Sequence, residues 1–338
     1  MNFAHIQSLK ELLNRPQRIV LVPHKNPDGD AIGSTLALWH LFRELRQEVT
    51  LISPNDFPEF LKWMPGSQEI VIFEKQREEA LKRIDEAALV FTLDFNALDR
   101  CGLMQEPLQH ASADFVMIDH HQSPGNYAKF TYSNPQMSST CEMVYHFIRA
   151  LGEEPRINTS IATCLYAGIL TDTGSFKFDS TTPTTLRVAA ALMEIGAPHS
   201  LIHREIYDTN RPERLQLLGC ALQNLVILKA YRTAYITLSQ EELNRHDFRK
   251  GDTEGFVNYG LSLKDVVLAA IFIENRDEGI IKISLRSQGA FSVNEMARSH
   301  FEGGGHTNAA GGRSQESLEA TVRRFESVLA AYKDQLAV

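Results

Sequence analysis

Residues 18–30 read RIVLVPHKNPDGD. From Ile19 to Val22 the run is apolar and mostly β-branched, too short for a helix and bounded by polar residues. That is the pattern of a strand buried on both faces of a parallel sheet. Four more such runs follow: EVTLIS (48–53), EIVIF (69–73), ALVFTLD (88–94) and FVMIDHH (115–121). Between them Ala31–Arg46 and Arg77–Glu86 carry helical periodicity, so the first half follows βαβ logic. Further helices are expected at Ser139–Leu151, Asn158–Leu170, Pro183–Ile195, Pro198–Tyr207 and Pro212–Leu225, several opening on Pro or a Ser/Asn cap. The second half offers strands TAYITL (233–238), VVLAAIFIE (266–274) and GIIKISLRS (279–287), a Gly-rich stretch and a final helix, Ser317–Tyr332. The prediction is an α/β protein: a parallel-sheet domain over residues 1–190, a helical linker over 191–215, and a smaller α+β domain over 216–338.

The 338 residues carry 34 Lys and Arg against 42 Asp and Glu, a net charge of −8. The whole excess lies in residues 1–210, with 18 basic and 26 acidic side chains; the remainder balances at 16 and 16. A protein that coats long nucleic acid presents a basic face, so a nucleic-acid substrate here has to be short or met by a local basic pocket. The acidic half suits lodging cations instead. Cys101, Cys141, Cys164 and Cys220 form no C-x-x-C pair, which argues against a zinc–thiolate site and fits reduced thiols. No uninterrupted apolar stretch reaches the roughly 18 residues of a membrane helix, and residues 1–19 have no signal-like apolar core. The expectation is a cytoplasmic protein with no membrane partner.

Ligands of open parallel sheets bind beyond the carboxyl ends of the strands. The first strand runs into His24, Asp28 and Asp30, the fourth ends on Asp94, and the fifth on Asp119, His120 and His121. Asp172 follows the apolar run CLYAGILT. Even four of these carboxylates and two of these imidazoles in one pocket cannot all stay charged and dry, and bound cations resolve the conflict. Mixed Asp/His ligation without Cys suits Mn²⁺, Mg²⁺ or Co²⁺. Taken alone, Asp-x-Asp after a strand also describes a loop with helix caps. An EF-hand is excluded, because Ala31 and Ala37 stand where its Gly and Glu belong. A P-loop is excluded because no Gly-Lys-Ser/Thr follows Gly29 and Gly33.

His24-Lys-Asn-Pro-Asp28-Gly-Asp30, Asp94, Asp119-His120-His121 and Gly168-Ile-Leu-Thr-Asp172-Thr-Gly resemble the four successive motifs of the DHH phosphoesterase superfamily. Ser284-Leu-Arg286-Ser and Gly303-Gly304-Gly305-His306 through Gly312 resemble its DHH-associated substrate domain. The overall length is most similar to the nanoRNase/pAp-phosphatase (NrnA-type) branch. The resemblance implies a Rossmann-like DHH domain, a DHH-associated domain, and an active site in the cleft between them. It also implies two Mn²⁺ ions (Mg²⁺ or Co²⁺ as substitutes), one on His24, Asp28 and Asp94 and the other on Asp30, Asp94, His120 and Asp172. Asp119 would orient its neighbours, a cap being the alternative, and His121 would face the phosphate or the leaving oxygen. The implied reaction is hydrolysis of short oligoribonucleotides and linear dinucleotides to 5′-mononucleotides, and of 3′-phosphoadenosine 5′-phosphate (pAp) to AMP.

In the second half, Gly303–Gly305 would expose backbone N–H groups that nest an anion, with a helix cap as the plainer reading. His306 adds a donor and Arg286 a planar fork for phosphate. Asn258 is a further candidate contact or a turn residue. Tyr127, Phe176, Phe178 and Phe291 are candidates for base stacking or for core. The competing functions are a RecJ-like single-strand exonuclease, disfavoured by the lack of a basic tract, and a non-catalytic nucleotide sensor, disfavoured by the complete metal set. A homodimer through apolar helices is a further expectation.

Overall fold

The computed structural model describes residues 3–336, which fall into two compact units that meet in sequence between Thr209 and Asn210. In chain order the first unit contains α1 (Phe3–Leu13), β1 (Arg18–Pro23), α2 (Gly29–Glu44), β2 (Glu48–Ser53), β3 (Val71–Ile72), α3 (Arg77–Asp85) and β4 (Leu89–Leu93). It continues with α4 (Gln105–His110), β5 (Asp114–Asp119), β6 (Phe130–Ser133), α5 (Thr140–Leu151), α6 (Thr159–Asp172), α7 (Pro183–Ile195) and α8 (His199–Tyr207). All six strands are parallel, in the order β3-β2-β1-β4-β5-β6.

Alternate residues of the strands feed two cores. Ile19, Leu21, Leu89, Phe91, Val116 and Ile118 pack with α2, α5 and α6 on one face. Val20, Val22, Val90 and Phe115 pack with α3 and α4 on the other. Covering both faces is why the strands read as unbroken apolar runs rather than alternating ones. The strand order reverses between β1 and β4, the place where such sheets open a crevice for ligands. Register carries the chemistry there: Pro23 pairs with Leu93 and Leu93 with Ile118, so His24, Asp94 and Asp119 leave neighbouring strand ends in step.

The second unit contains α9 (Pro212–Gln223), β7 (Val226–Leu228), β8 (Thr233–Leu238), α10 (Gln240–Arg245), α11 (Phe256–Leu261), β9 (Leu268–Asn275) and β10 (Ile280–Ser287). α12 (Val293–His300), β11 (Gly304–Gly305), β12 (Ala309–Ser314), α13 (Leu318–Leu329) and the short α14 (Lys333–Leu336) follow. Its mixed sheet, β11-β12-β10-β9-β8-β7, is parallel only between β8 and β9. Phe272, Ile283 and Leu285 face α12 and α13, while Ile236, Leu238 and Ile271 face α9 to α11. Among the described residues no helix is long and apolar enough to cross a membrane.

Two differences from the sequence reading have local causes. EIVIF shrinks to the two-residue β3, because Ser67–Glu69 form a 3₁₀ turn entered through Gly66 at φ 88°. The Gly-rich stretch is strand, not open loop: Gly304 and Gly305 pair with β12.

Candidate metal centre

Asp28 is the N-cap of α2, its Oδ1 accepting from the amides of Asp30 (3.1 Å) and Ala31 (3.0 Å). That cap fixes the turn between β1 and α2. It also leaves Asp28 Oδ1 3.9 Å from His24 Nε2. The cap reading and the ligand reading therefore describe the same residue. Asp94 sits at φ 66°, a left-handed conformation that Asp tolerates and bulkier side chains resist. Its Oδ2 lies 3.5 Å from His24 Nε2 and its Oδ1 3.4 Å from His120 Nε2. One carboxylate thus faces both imidazoles with different oxygens. His120 Nε2 also lies 3.4 Å from Asp172 Oδ2 and 3.8 Å from Asp30 Oδ2.

Backbone carbonyls fix both imidazoles. His24 Nδ1 is 2.8 Å from Lys25 O and His120 Nδ1 is 3.2 Å from Met137 O. A carbonyl can only accept, so each ring donates from Nδ1 and turns Nε2 toward the carboxylate cluster, where it carries a proton in the absence of metal and offers a lone pair once that proton leaves. Asp119, fully buried, accepts from His121 Nδ1 at 2.7 Å and from the His121 amide at 3.1 Å. It therefore holds the His121 ring, and His121 Nδ1 lies 3.8 Å from Asp94 Oδ1.

The N-terminus of α5 supplies contacts that the sequence reading missed. The Thr140 amide donates to Asp30 Oδ2 (2.6 Å), the Cys141 amide to Asp30 Oδ1 (2.8 Å), and the Thr140 hydroxyl to Asp94 Oδ1 (2.9 Å). A helix start is a natural seat for a carboxylate. In the sequence Ser138-Ser139-Thr140 signals only a cap.

The electrostatics show what the cluster lacks. Among the described residues no Lys or Arg pairs with Asp28, Asp30, Asp94 or Asp172; their ion-pair partners are histidines. Burial, then Asp94 and Asp172, push Asp30 well above the usual carboxylate range. Burial, opposed by His120 and reinforced by Asp28 and Asp94, pushes Asp172 up to about 7. Burial also pushes Asp94 up, but hydrogen bonds from His120 and His24 outweigh it and hold Asp94 well below the usual range. His24 and His120 are both raised, the carboxylates outweighing burial. A site whose buried acids resist ionisation without a counter-charge fits divalent cations. His24, Asp28 and Asp94 form one set of donor atoms within 4.8 Å of one another, and Asp30, His120 and Asp172 form another.

These shifts carry a pH dependence. Carboxyls and imidazoles whose folded pKa is raised stabilise the metal-free chain below their unfolded values, and that contribution is lost as pH rises through the folded ones. Metal binding needs the deprotonated forms, so its affinity rises over the same interval. The Mn²⁺-induced increase in Tm is expected to be larger at about pH 8 than at about pH 6, measured by thermal melts with and without the ion. An increase that shrinks with rising pH contradicts the assignment.

In the second unit Arg286 lies on β10, half-buried, with Nη1 donating to Leu285 O at 3.0 Å. His306 follows β11 and is half-buried. Asn258 lies within α11, and its buried Oδ1 has no hydrogen-bond partner among the described residues. The expected anion nest is corrected by the backbone: the amides of Gly303, Gly305 and His306 donate to Ala297 O (3.2 Å), Asn294 Oδ1 (3.0 Å) and Ala309 O (2.7 Å). The glycines instead permit close approach; a Cβ on Gly305 would stand 2.5 Å from Ala309 O. Of the aromatic candidates, Tyr127 bonds Thr92 Oγ1 at 2.7 Å within a core, Phe176 packs on a core and Phe291 is buried in one. Phe178 alone is exposed, at 37%.

Residues 18–169 match the DHH family, N-terminal domain, and residues 230–337 the DHHA1 domain. The chain is 30% identical over 319 residues to the bifunctional oligoribonuclease and PAP phosphatase NrnA of Thermus thermophilus, covering 94% of this chain and 90% of that one. It is 28% identical to the Bacillus subtilis protein of the same name, covering 87% and 88%. A solved exopolyphosphatase-related protein from Bacteroides fragilis superposes with a TM-score of 0.94 at 40% identity, covering 99% of this chain and 98% of that one. The chain therefore belongs to the DHH phosphoesterase family, with a DHHA1 domain following its DHH domain, and is a hydrolase of phosphoester bonds.

Proposed function

We propose that the protein is a bimetal phosphodiesterase that releases 5′-mononucleotides from short oligoribonucleotides and linear dinucleotides and converts pAp to AMP. The observation that carries this reading is the convergence of Asp28, Asp30, Asp94 and Asp172 on His24 and His120, with no Lys or Arg pairing with these carboxylates among the described residues. The names of the Thermus and Bacillus relatives supply the substrate class. His24, Asp28 and Asp94 would hold one Mn²⁺, and Asp30, Asp94, His120 and Asp172 the other, with Mg²⁺ or Co²⁺ as substitutes. When bound, such a pair supplies Lewis-acid polarisation and a water of lowered pKa.

The chain's own residues do the rest. Asp94 presents one oxygen to each imidazole, so it serves both ion sites. Asp119 accepts the Nδ1 proton of His121 and fixes the orientation of the ring. With a proton on Nε2, His121 would donate to a phosphoryl or leaving oxygen. Arg286, His306 and Asn258 are the proposed substrate contacts in the DHHA1 domain, Arg286 offering a fork to phosphate.

The test is product analysis on 5′-labelled di- to pentanucleotides, a long single strand and pAp, with Mn²⁺ or EDTA. Mononucleotide and AMP release that needs Mn²⁺ and falls steeply with chain length is the expected result. Undiminished digestion of the long strand would favour the RecJ-like alternative, and no release at all the nucleotide sensor.

A further inference from the structure

Glu142 lies on the first turn of α5 and is 1% exposed. It is absent from both sets of proposed ligands, yet its side chain is crowded with donors. Its Oε2 accepts from the Ser138 hydroxyl, from the Ser138 amide (3.3 Å) and from the Thr185 hydroxyl (2.9 Å). His146 Nε2 lies 3.8 Å from its Oε1. Burial pushes this carboxyl up, but the nearby His146 and the hydrogen bonds from Ser138 and Thr185 outweigh it and hold the group below the usual range. A buried carboxylate is costly unless it is hydrogen-bonded, and Ser138 and Thr185 supply those bonds.

The two segments it fixes both lead to the candidate metal centre. Ser138 stands between Met137, whose carbonyl sets the His120 ring (3.2 Å), and Thr140, whose amide and hydroxyl hold Asp30 (2.6 Å) and Asp94 (2.9 Å). Thr185 lies in the first turn of α7, in the capping box with Thr182. That box ends the loop that begins at Asp172, the last residue of α6. One carboxylate therefore ties together the segment behind His120, Asp30 and Asp94 and the far end of the loop leaving Asp172.

We propose that Glu142 is a positioning residue for the metal centre, holding residues 137–140 and the start of α7 so that the donors for both ions stay preorganised. The inference rests on the proposed metal assignment. Groups that orient metal ligands typically cost 10–100-fold in affinity when removed, whereas a merely structural carboxylate changes folding stability alone.

The experiment is Mn²⁺ binding to metal-free protein followed by electron paramagnetic resonance, alongside thermal melts without metal, for wild type, Glu142→Gln and Ser138→Ala. The expected result is Mn²⁺ affinity weakened roughly 10–100-fold in Glu142→Gln, and weakened in the same direction but less in Ser138→Ala. Wild-type affinity in both variants, with only a lowered Tm, overturns the proposal. Should Glu142→Gln fail to fold, Ser138→Ala decides by the same reading. Wild-type protein that binds no Mn²⁺ overturns the metal assignment instead, so the two failures are distinguishable.

Discussion

Asp94→Asn is expected to lower phosphodiester turnover by roughly 10³-fold or more while leaving the metal-free fold intact. Among the described residues Asp94 alone faces both His24 and His120, at 3.5 Å and 3.4 Å. Neutralising it removes the one carboxylate shared by the two proposed ion sites. Divalent ions contribute several kcal/mol of charge stabilisation to such reactions, and about 4 kcal/mol is roughly a thousandfold. The fold should tolerate the change for two reasons. Asn accepts the φ of 66° at this position, as few other residues do. The variant also relieves the like-charge pressure on Asp30, of which Asp94 is the largest charged source. Rates on a dinucleotide, with metal-free Tm measured in parallel, check both halves. More than a few per cent of wild-type rate contradicts the role assigned to Asp94.

Gly168→Val is expected to damage the fold and the site together. Helices α2 and α6 pack through glycine. A Cβ on Gly168 would collide with Cys141 Sγ and stand 3.0 Å from Asp30 Oδ1 and 3.1 Å from Asp30 Cα, while one on Gly33 would stand 2.6 Å from Cys164 O. Two of the atoms met by Gly168 belong to Asp30, so the helices cannot separate without moving a proposed ligand off the Thr140 and Cys141 amides. Overpacking costs about 1–3 kcal/mol, and more where backbone must shift. A loss of about 3 kcal/mol lowers Tm by roughly 6–12 °C in a domain of this size. Mn²⁺ affinity, measured well below the variant's Tm, should fall as well. An unchanged Tm contradicts the glycine contact.

The sequence exposed the first domain well because its sheet is covered on both faces. β1, β2, β4 and β5 stand where the apolar runs placed them, each within a residue or two at the ends. β6 escaped because Phe130–Ser133 is a short edge strand, half-buried after its first residue, and such strands carry no long apolar run. In the DHHA1 domain β12 reads AAGGRS and has no β-branched residue. Its strand character comes from pairing with β10, which no local pattern announces. At the site the strand-end acids and imidazoles were legible because they follow apolar runs. Thr140 and Glu142 were not, since one resembles an ordinary cap and the other an exposed helix-start acid. Only the packing of α5 against the β1–α2 turn reveals what they hold. The amides of the glycine run illustrate the converse: successive glycines suggest free amides, but Ala297 O and Asn294 Oδ1 of α12 accept from Gly303 and Gly305, and Ala309 O accepts from His306.

The central claim is that six side chains from four places in the chain form a two-ion site. Calorimetric titration of metal-free wild-type protein with Mn²⁺ tests it most directly. The account predicts two ions per chain for the wild type, with both sites weakened in Asp94→Asn and only one in Asp28→Asn. No binding, or a single ion whose affinity is indifferent to Asp94, would contradict it.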